Sequence, residues 1–198
     1  MNIIDSISNR RSIRKFSDRE IDKDIIEKIL KAGINAPSPK NIQPWKFIVV
    51  TKKGKREMFD TINKGIEKIK SNPGSFADTM FLLSSAEQTL KIMEEAPVII
   101  FVKNTGNKYM SEQTPAKRFK EMTHILSCGA SIENMLLAAM EYGIGSLWIS
   151  DIFFFAIELA EWMNTDKQIV AAIALGYPAE NPPPAPTRKE MDTLVEWR

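Results

Sequence analysis

Three arginines and a serine fall within five residues, Arg10, Arg11, Ser12 and Arg14, and such a density of charge-assisted donors is what a phosphate group or a polyol chain requires. Taken alone, the cluster also reads as a solvated basic turn. A second candidate is the segment Ala36 to Trp45, which contains Pro37, Pro39 and Pro44 together with Ser38, Lys40, Asn41 and Gln43. Its prolines stiffen a backbone that holds polar side chains just ahead of an apolar run. It could orient a heteroaromatic ring by hydrogen bonds, or simply turn the chain into the core through Trp45. No nucleophile–base pair or general acid–base motif accompanies either segment.

Local elements must deliver these residues. Asn2 caps a short helix in which Ile3, Ile4 and Ile7 share a face and which leads into the arginines. Asp22 caps a second helix carrying Ile25, Ile26, Ile29 and Leu30 at helical spacing up to Gly33, with Ile21 stapled onto Ile26. Trp45 to Val50 alternates with period two and is apolar on both faces, which predicts an inner strand. A helical stretch with Leu90, Ile92 and Met93 switches at Pro97 to a strand over Val98 to Val102. From Ile125 to Tyr142 the stripe Ile125, Gly129, Ile132, Leu136 and Met140 is widened by Cys128, Ser131, Met135 and Ala139, so the helix should be buried on two sides. Gly143 and Gly145 close it. Leu147 to Ile149 then reads as a strand, Phe153 to Met163 as a helix, and Ile169 to Leu175 as a buried strand. Four prolines between Pro182 and Pro186 make the remainder, about 179–198, an extended tail able to cross a surface. Residues 71–86 and 104–120 lack periodicity and are expected to be lids.

Composition narrows the function further. The chain has 198 residues, 43% hydrophobic and 26% charged, which suits one domain, 1–198, of α+β class with helices around one sheet. Its 27 basic and 25 acidic residues leave a net charge of +2, and that balance favours neither nucleic acid nor anionic membrane as partner. One cysteine, Cys128, and one histidine, His124, provide neither a disulfide framework nor a zinc cluster. Both read as structural, His124 at the start of a buried helix and Cys128 within it. No apolar stretch is long enough to span a bilayer, and the expected location is cytoplasmic.

Arg-Arg-Ser-Ile-Arg-Lys-Phe and Ala-Pro-Ser-Pro-Lys-Asn-Ile-Gln-Pro-Trp-Lys-Phe resemble signature segments of the nitroreductase family. Gly129 to Ile149, with Gly143-Ile144-Gly145-Ser146, is similar to that family's central helix and flavin-side loop, and Leu175-Gly176-Tyr177-Pro178 followed by Arg188 is similar to its C-terminal end. The four blocks occur in the family's order. The resemblance implies an intertwined homodimer of nitroreductase-like fold, with a mostly antiparallel central sheet, and FMN bound at the subunit interface. NADH or NADPH would supply hydride, by a ping-pong mechanism, to a small electron-poor acceptor such as a nitroaromatic or a quinone. The specialised alternatives are a reductive dehalogenase-like or flavin-processing enzyme, and a flavin-binding redox sensor without turnover.

Site residues follow by the same resemblance. Arg10, Arg11, Ser12 and Arg14 would hold the phosphate and ribityl chain with Arg188, and Pro186 stands where many relatives carry a further basic residue. Pro37, Ser38 and Asn41 would approach the ring from the partner subunit. Ile144, Gly145 and Ser146 would face flavin N5, Gln88 and Lys91 would contact the ring, and Lys91 would offset charge on reduced flavin. Three charge-assisted hydrogen bonds contribute roughly 5 to 9 kcal/mol, whereas association costs roughly 4 to 15 kcal/mol. Ring burial between subunits must make up the difference.

Overall fold

Alternating apolar residues form four strands, and the helices between them cover both faces of the sheet they build. The computed structural model describes residues 2–108, 114–182 and 184–198, the side chains of residues 75, 76, 78 and 79 excepted. In chain order the elements are α1 (Ile3–Asn9), α2 (Lys23–Ile34), β1 (Trp45–Val50), α3 (Lys52–Ser71), α4 (Leu83–Glu95), β2 (Val98–Lys108), α5 (Pro115–Glu141), β3 (Gly145–Ile149), α6 (Ala156–Trp162) and β4 (Lys167–Gly176). Short 3-10 turns occupy Pro39–Asn41, Gly74–Leu82, Asp151–Phe155 and Met191–Thr193. The sheet runs β1-β2-β4-β3 with every pairing antiparallel.

One face carries Ile99 and Phe101 of β2, Ala172 and Ala174 of β4 and Leu147 of β3, which pack with Met58, Ile62 and Ile66 of α3 and Leu90 and Met93 of α4. The opposite face carries Val98, Ile100, Val102, Ala171 and Ile173 against Ile26 and Ile29 of α2 and Ile132, Met135 and Leu136 of α5. The architecture is α+β, three layers with the sheet in the middle.

The caps on α1 and α2 sit where the sequence places them. Asn2 Oδ1 accepts the Asp5 amide at 2.9 Å, whereas Asp22 caps only through its carbonyl oxygen, which accepts from Ile25 and Ile26. Five expectations need correction. β1 pairs with β2 alone and is an edge strand; its apolarity on both faces reports helices above and below, not strands on either side. Residues 104–108 continue β2 and α5 begins at Pro115, ten residues ahead of Ile125, so 104–108 and 115–120 are regular elements; residues 109–113 lie outside the described residues. Thr114 caps that helix by accepting the Lys117 amide at 3.3 Å, and Pro115 follows at its first position. Residues 71–86 are likewise helical for the most part, and Phe153 to Met163 divides into a 3-10 turn and α6. His124 therefore lies inside α5, about two and a half turns past its start.

Two apolar faces are exposed. Ile3, Ile4 and Ile7 share one side of α1 as expected, yet all three are exposed and Ser6 is its buried residue. α5 is buried along Cys128, Ile132, Met135 and Ala139 against α2 and the sheet, but Leu126 and, in its first turns, Phe119 and Met122 are exposed. The 20-residue α3 is not apparent from apolar periodicity alone; its Met58, Ile62, Ile66 and Ile69 form a helical stripe among seven lysines and arginines of a sparse amphipathic pattern.

Candidate functional site

Beyond α1 the chain runs beside the two strands at one edge of the sheet. Ser12 bridges Ser146 in parallel, and the Ile13 amide donates to the Ser146 carbonyl at 2.9 Å. Phe16 bridges Pro178, the Ser17 amide donates to the Tyr177 carbonyl at 2.9 Å, and the Ala179 amide donates to the Lys15 carbonyl at 3.1 Å. Glycine at 145 is required by this approach, since a Cβ there would stand 2.7 Å from Ile13 Cγ1 and 2.9 Å from its Cβ. Gly176 is constrained in the same way by Pro97 and Phe16.

The arginines project from this pinned segment. Arg10 is partly buried and pairs with Glu133 of α5 at 3.5 Å. Arg11 Nη1 donates to the carbonyls of Ser8 and Arg10 at 2.9 and 2.8 Å, and Arg14 Nη1 to that of Ser12 at 3.3 Å. A guanidinium has five N–H donors, so Arg11 and Arg14 keep several for a ligand. Arg11, Ile13, Met140, Ile144, Gly145 and Ser146 line a cavity of ≈ 150 Å³, while Ser12, Arg14, Lys15 and Glu180 line an adjoining one of ≈ 270 Å³ that shares Ile13 and Pro182. The first is largely apolar and the second is lined by Arg14 and by the Lys15–Glu180 pair, which fits a ligand with a ring at one end and an anion at the other. Both are smaller than the roughly 300–1,000 Å³ of an ordinary small-molecule site. A larger cavity of ≈ 720 Å³ lies elsewhere, with Lys52, Lys53 and Lys55 opposed by Glu94 and Glu95, and no expected site residue lines it.

The second expected segment sits at the other edge. The Ser38 hydroxyl accepts the Gln43 amide at 2.9 Å, and the Asn41 amide donates to the Ser38 carbonyl at 3.0 Å. Lys40, Asn41 and Gln43 adopt left-handed backbone at φ of 52°, 55° and 49°, a conformation that non-glycine residues hold only when their surroundings impose it. Thr105 of β2 meets the end of this loop, its amide and hydroxyl both donating to the Pro44 carbonyl at 2.7 and 3.1 Å. Pro37 and Asn41 are exposed and Ser38 is half-buried.

One chain thus assembles half of the expected constellation. Arg11, Ser12, Arg14, Ile144, Gly145 and Ser146 come together at the β3 edge, with Arg10 beside them held by Glu133. Pro37, Ser38 and Asn41 lie by β1, across three strand spacings or roughly 14 Å of sheet. Gln88 and Lys91 are exposed on α4 and Arg188 is exposed in the tail; none of the three lines either cavity. Met140, Gly143, Pro178 and Pro182 line the apolar cavity without having been singled out for it. Gly143, at φ 67° with open space where a Cβ would stand, carried the clearest signal of these, because left-handed glycine at a helix end is legible in sequence.

Comparison with known proteins places the chain. A protein of Archaeoglobus fulgidus named as a candidate NADH dehydrogenase/NAD(P)H nitroreductase is 32% identical over 181 residues, covering 88% of this chain and 84% of its own. A candidate nitroreductase of Desulfovibrio desulfuricans, solved in complex with FMN, superposes at a TM-score of 0.68 with 25% identity over 100% of this chain and 97% of its own. A BluB-like flavoprotein of Clostridium difficile 630 superposes at 0.77, also with 25% identity, over 100% and 99%. The nitroreductase family model matches residues 7–177, a span that takes in the cationic segment, the strained loop, β3 and the turn after β4, and the chain belongs to the nitroreductase family.

Proposed function

We propose that the chain is an FMN-dependent NAD(P)H oxidoreductase that works as a homodimer with a site at each of two equivalent interfaces. The observation that carries this reading is the division of the site, whose cationic half lies at the β3 edge while its ring-facing loop lies at the β1 edge. A second copy brings the two halves together. The exposed apolar rows on α1 and α5 offer the surface such a copy would bury, and Leu194, Val195 and Trp197 of the exposed tail offer more. FMN bound to the Desulfovibrio desulfuricans relative supports the cofactor.

Arg11, Arg14 and Ser12 would hold the phosphate, with Arg10 turned to Glu133 and acting on the ligand at longer range. Arg188 and the tail, about 179–198, would reach the site from across the interface. Ile144, Gly145 and Ser146 would flank the ring on one side, and Pro37, Ser38 and Asn41 of the other subunit would close it; Gln88 and Lys91 of α4 would complete the polar contacts. When bound, FMN supplies hydride uptake from NADH or NADPH at N5 and its delivery to a small electron-poor acceptor, one substrate leaving before the next enters. The protein's own part is to position and to exclude water.

The test is direct. Protein purified from cells and supplied with FMN should be yellow and dimeric, releasing about one FMN per chain on denaturation, and should consume NAD(P)H steadily with a quinone or nitroaromatic. Colourless protein that takes up no added FMN would refute the cofactor; bound FMN without turnover would leave a flavin-binding module in place of the enzyme.

A further inference from the structure

Between α5 and the sheet lies a chain of polar side chains that the flavin site does not use. Asn104 of β2 is fully buried and His124 of α5 is 2% exposed. Asn104 Oδ1 accepts the Gly106 amide at 3.0 Å and lies 3.3 Å from His124 Nδ1, while its Nδ2 donates to Gln168 Oε1 of β4 at 3.2 Å. Gln168 Nε2 donates in turn to Glu121 Oε1, one turn before His124 on α5, at 2.7 Å.

The directions in this chain are fixed. A backbone N–H can only donate, so the Asn104 atom facing Gly106 is oxygen, and an oxygen there obliges His124 Nδ1 to carry a hydrogen. Every donor then points the same way, from His124 through Asn104 and Gln168 to the Glu121 carboxylate. The His124 ring rests on Gly106, where any side chain would collide with it. Asn104, Thr105 and Gly106 are consecutive, and Thr105 is the residue whose two bonds to the Pro44 carbonyl end the strained loop. A register shift between β2 and β4 beyond Asn104 leaves this stretch short of ladder bonds to hold it by itself.

We propose that Asn104 is a positioning residue for the flavin-facing loop: tied to His124 and to Gln168, it sets Thr105, and Thr105 sets Pro44, Ser38 and Asn41. The assignment rests on the proposed flavin site. It explains why a histidine is buried in a family member whose chemistry needs no imidazole, and it makes the three left-handed residues of the loop dependent on a network formed by α5, β2 and β4.

The test uses the FMN-supplied dimer. Asn104→Ala should weaken FMN binding by about tenfold, the effect of losing one buried hydrogen-bond network, and alter the visible circular dichroism of bound flavin. Thr105→Val, which keeps the fold and deletes only the hydroxyl bond to Pro44, should weaken it in the same direction, and the double variant by less than the product of the two. His124 is the chain's one histidine, so ¹⁵N spectra of labelled protein report its tautomer unambiguously and should show a hydrogen on Nδ1 of the neutral ring. Wild type that holds FMN while Thr105→Val and any folded Asn104→Ala bind it unchanged overturns the assignment, as does an Nε2–H ring. Wild type that takes up no FMN is a different failure, that of the proposed function, and removes both.

Discussion

Cys128 is fully buried in α5, and burial pushes its thiol up to about 12. The native thiolate fraction at pH 8 is then on the order of one in ten thousand. Folded protein should therefore fail to react with a thiol-exchange reagent at pH 8 and should react at once in denaturant; rapid native labelling would show that α5 opens or that the packing around Cys128 differs. His124 titrates in the opposite sense. Burial, and then the Lys120 charge, hold its imidazolium below the usual range. A base whose folded pKa lies below its unfolded value leaves stability untouched above about pH 6.5 and removes it as the pH falls from there toward the folded pKa, since the unfolded chain binds the proton first. The loss is at most about 1.4 kcal/mol per pH unit. Denaturant midpoints measured between pH 7.5 and 5 should drop more steeply for wild type than for His124→Gln, and parallel curves would remove His124 as the group responsible. Both residues were legible from sequence as structural, because a lone cysteine or histidine in an apolar helix has no partner for chemistry; the chain to Glu121 was not, because Gln168 and Asn104 come from distant strands.

At the scale of elements, periodicity identified those whose neighbours are uniform and misled where they are not. α2 and the apolar runs of β2 and β4 lie in the layers their patterns suggest. The pattern of β1 suggests an inner strand because a helix layer and a neighbouring strand leave the same apolar mark, and only pairing tells them apart. The first ten residues of α5 show no clear apolar stripe since charged residues alternate with Phe119 and Met122 there, although Thr114-Pro115 is a start signal. What patterns could not supply was the seating of the 10–17 segment on β3, which depends on the close approach of Ile13 to Gly145. Ile13 is β-branched and approaches through its Cβ, so it cannot swing aside. Gly145→Ala should accordingly push the cationic segment off β3, at about 1–3 kcal/mol in unfolding free energy, with a clear loss of FMN affinity. Stability and flavin titrations on the same preparation check it; an unchanged flavin affinity would mean that the arginines do not depend on their contact with β3.

For the whole molecule, the proposed dimer has each chain offering half a site on either edge of its sheet, so cofactor binding and dimerisation should be one linked equilibrium. A ligand that binds the dimer and not the monomer stabilises association by RT ln(1 + [L]/Kd) at each site, about 2.7 kcal/mol when free ligand is a hundred times Kd. Added FMN should shift sedimentation profiles toward the dimer at protein concentrations where the apo chain is dissociated. Reciprocally, with free FMN held constant by dialysis, the fraction of chains carrying flavin should fall as protein is diluted. A site built within one chain predicts otherwise, because at fixed free ligand its occupancy is independent of protein concentration. The apolar rows Ile3, Ile4 and Ile7 on α1 and Phe119, Met122 and Leu126 on α5 locate where to interfere. Charged substitutions there, at residues that touch neither cavity, should release flavin by separating the subunits, and excess FMN should restore the dimer; flavin retained by a monomer would place the whole site inside a single chain.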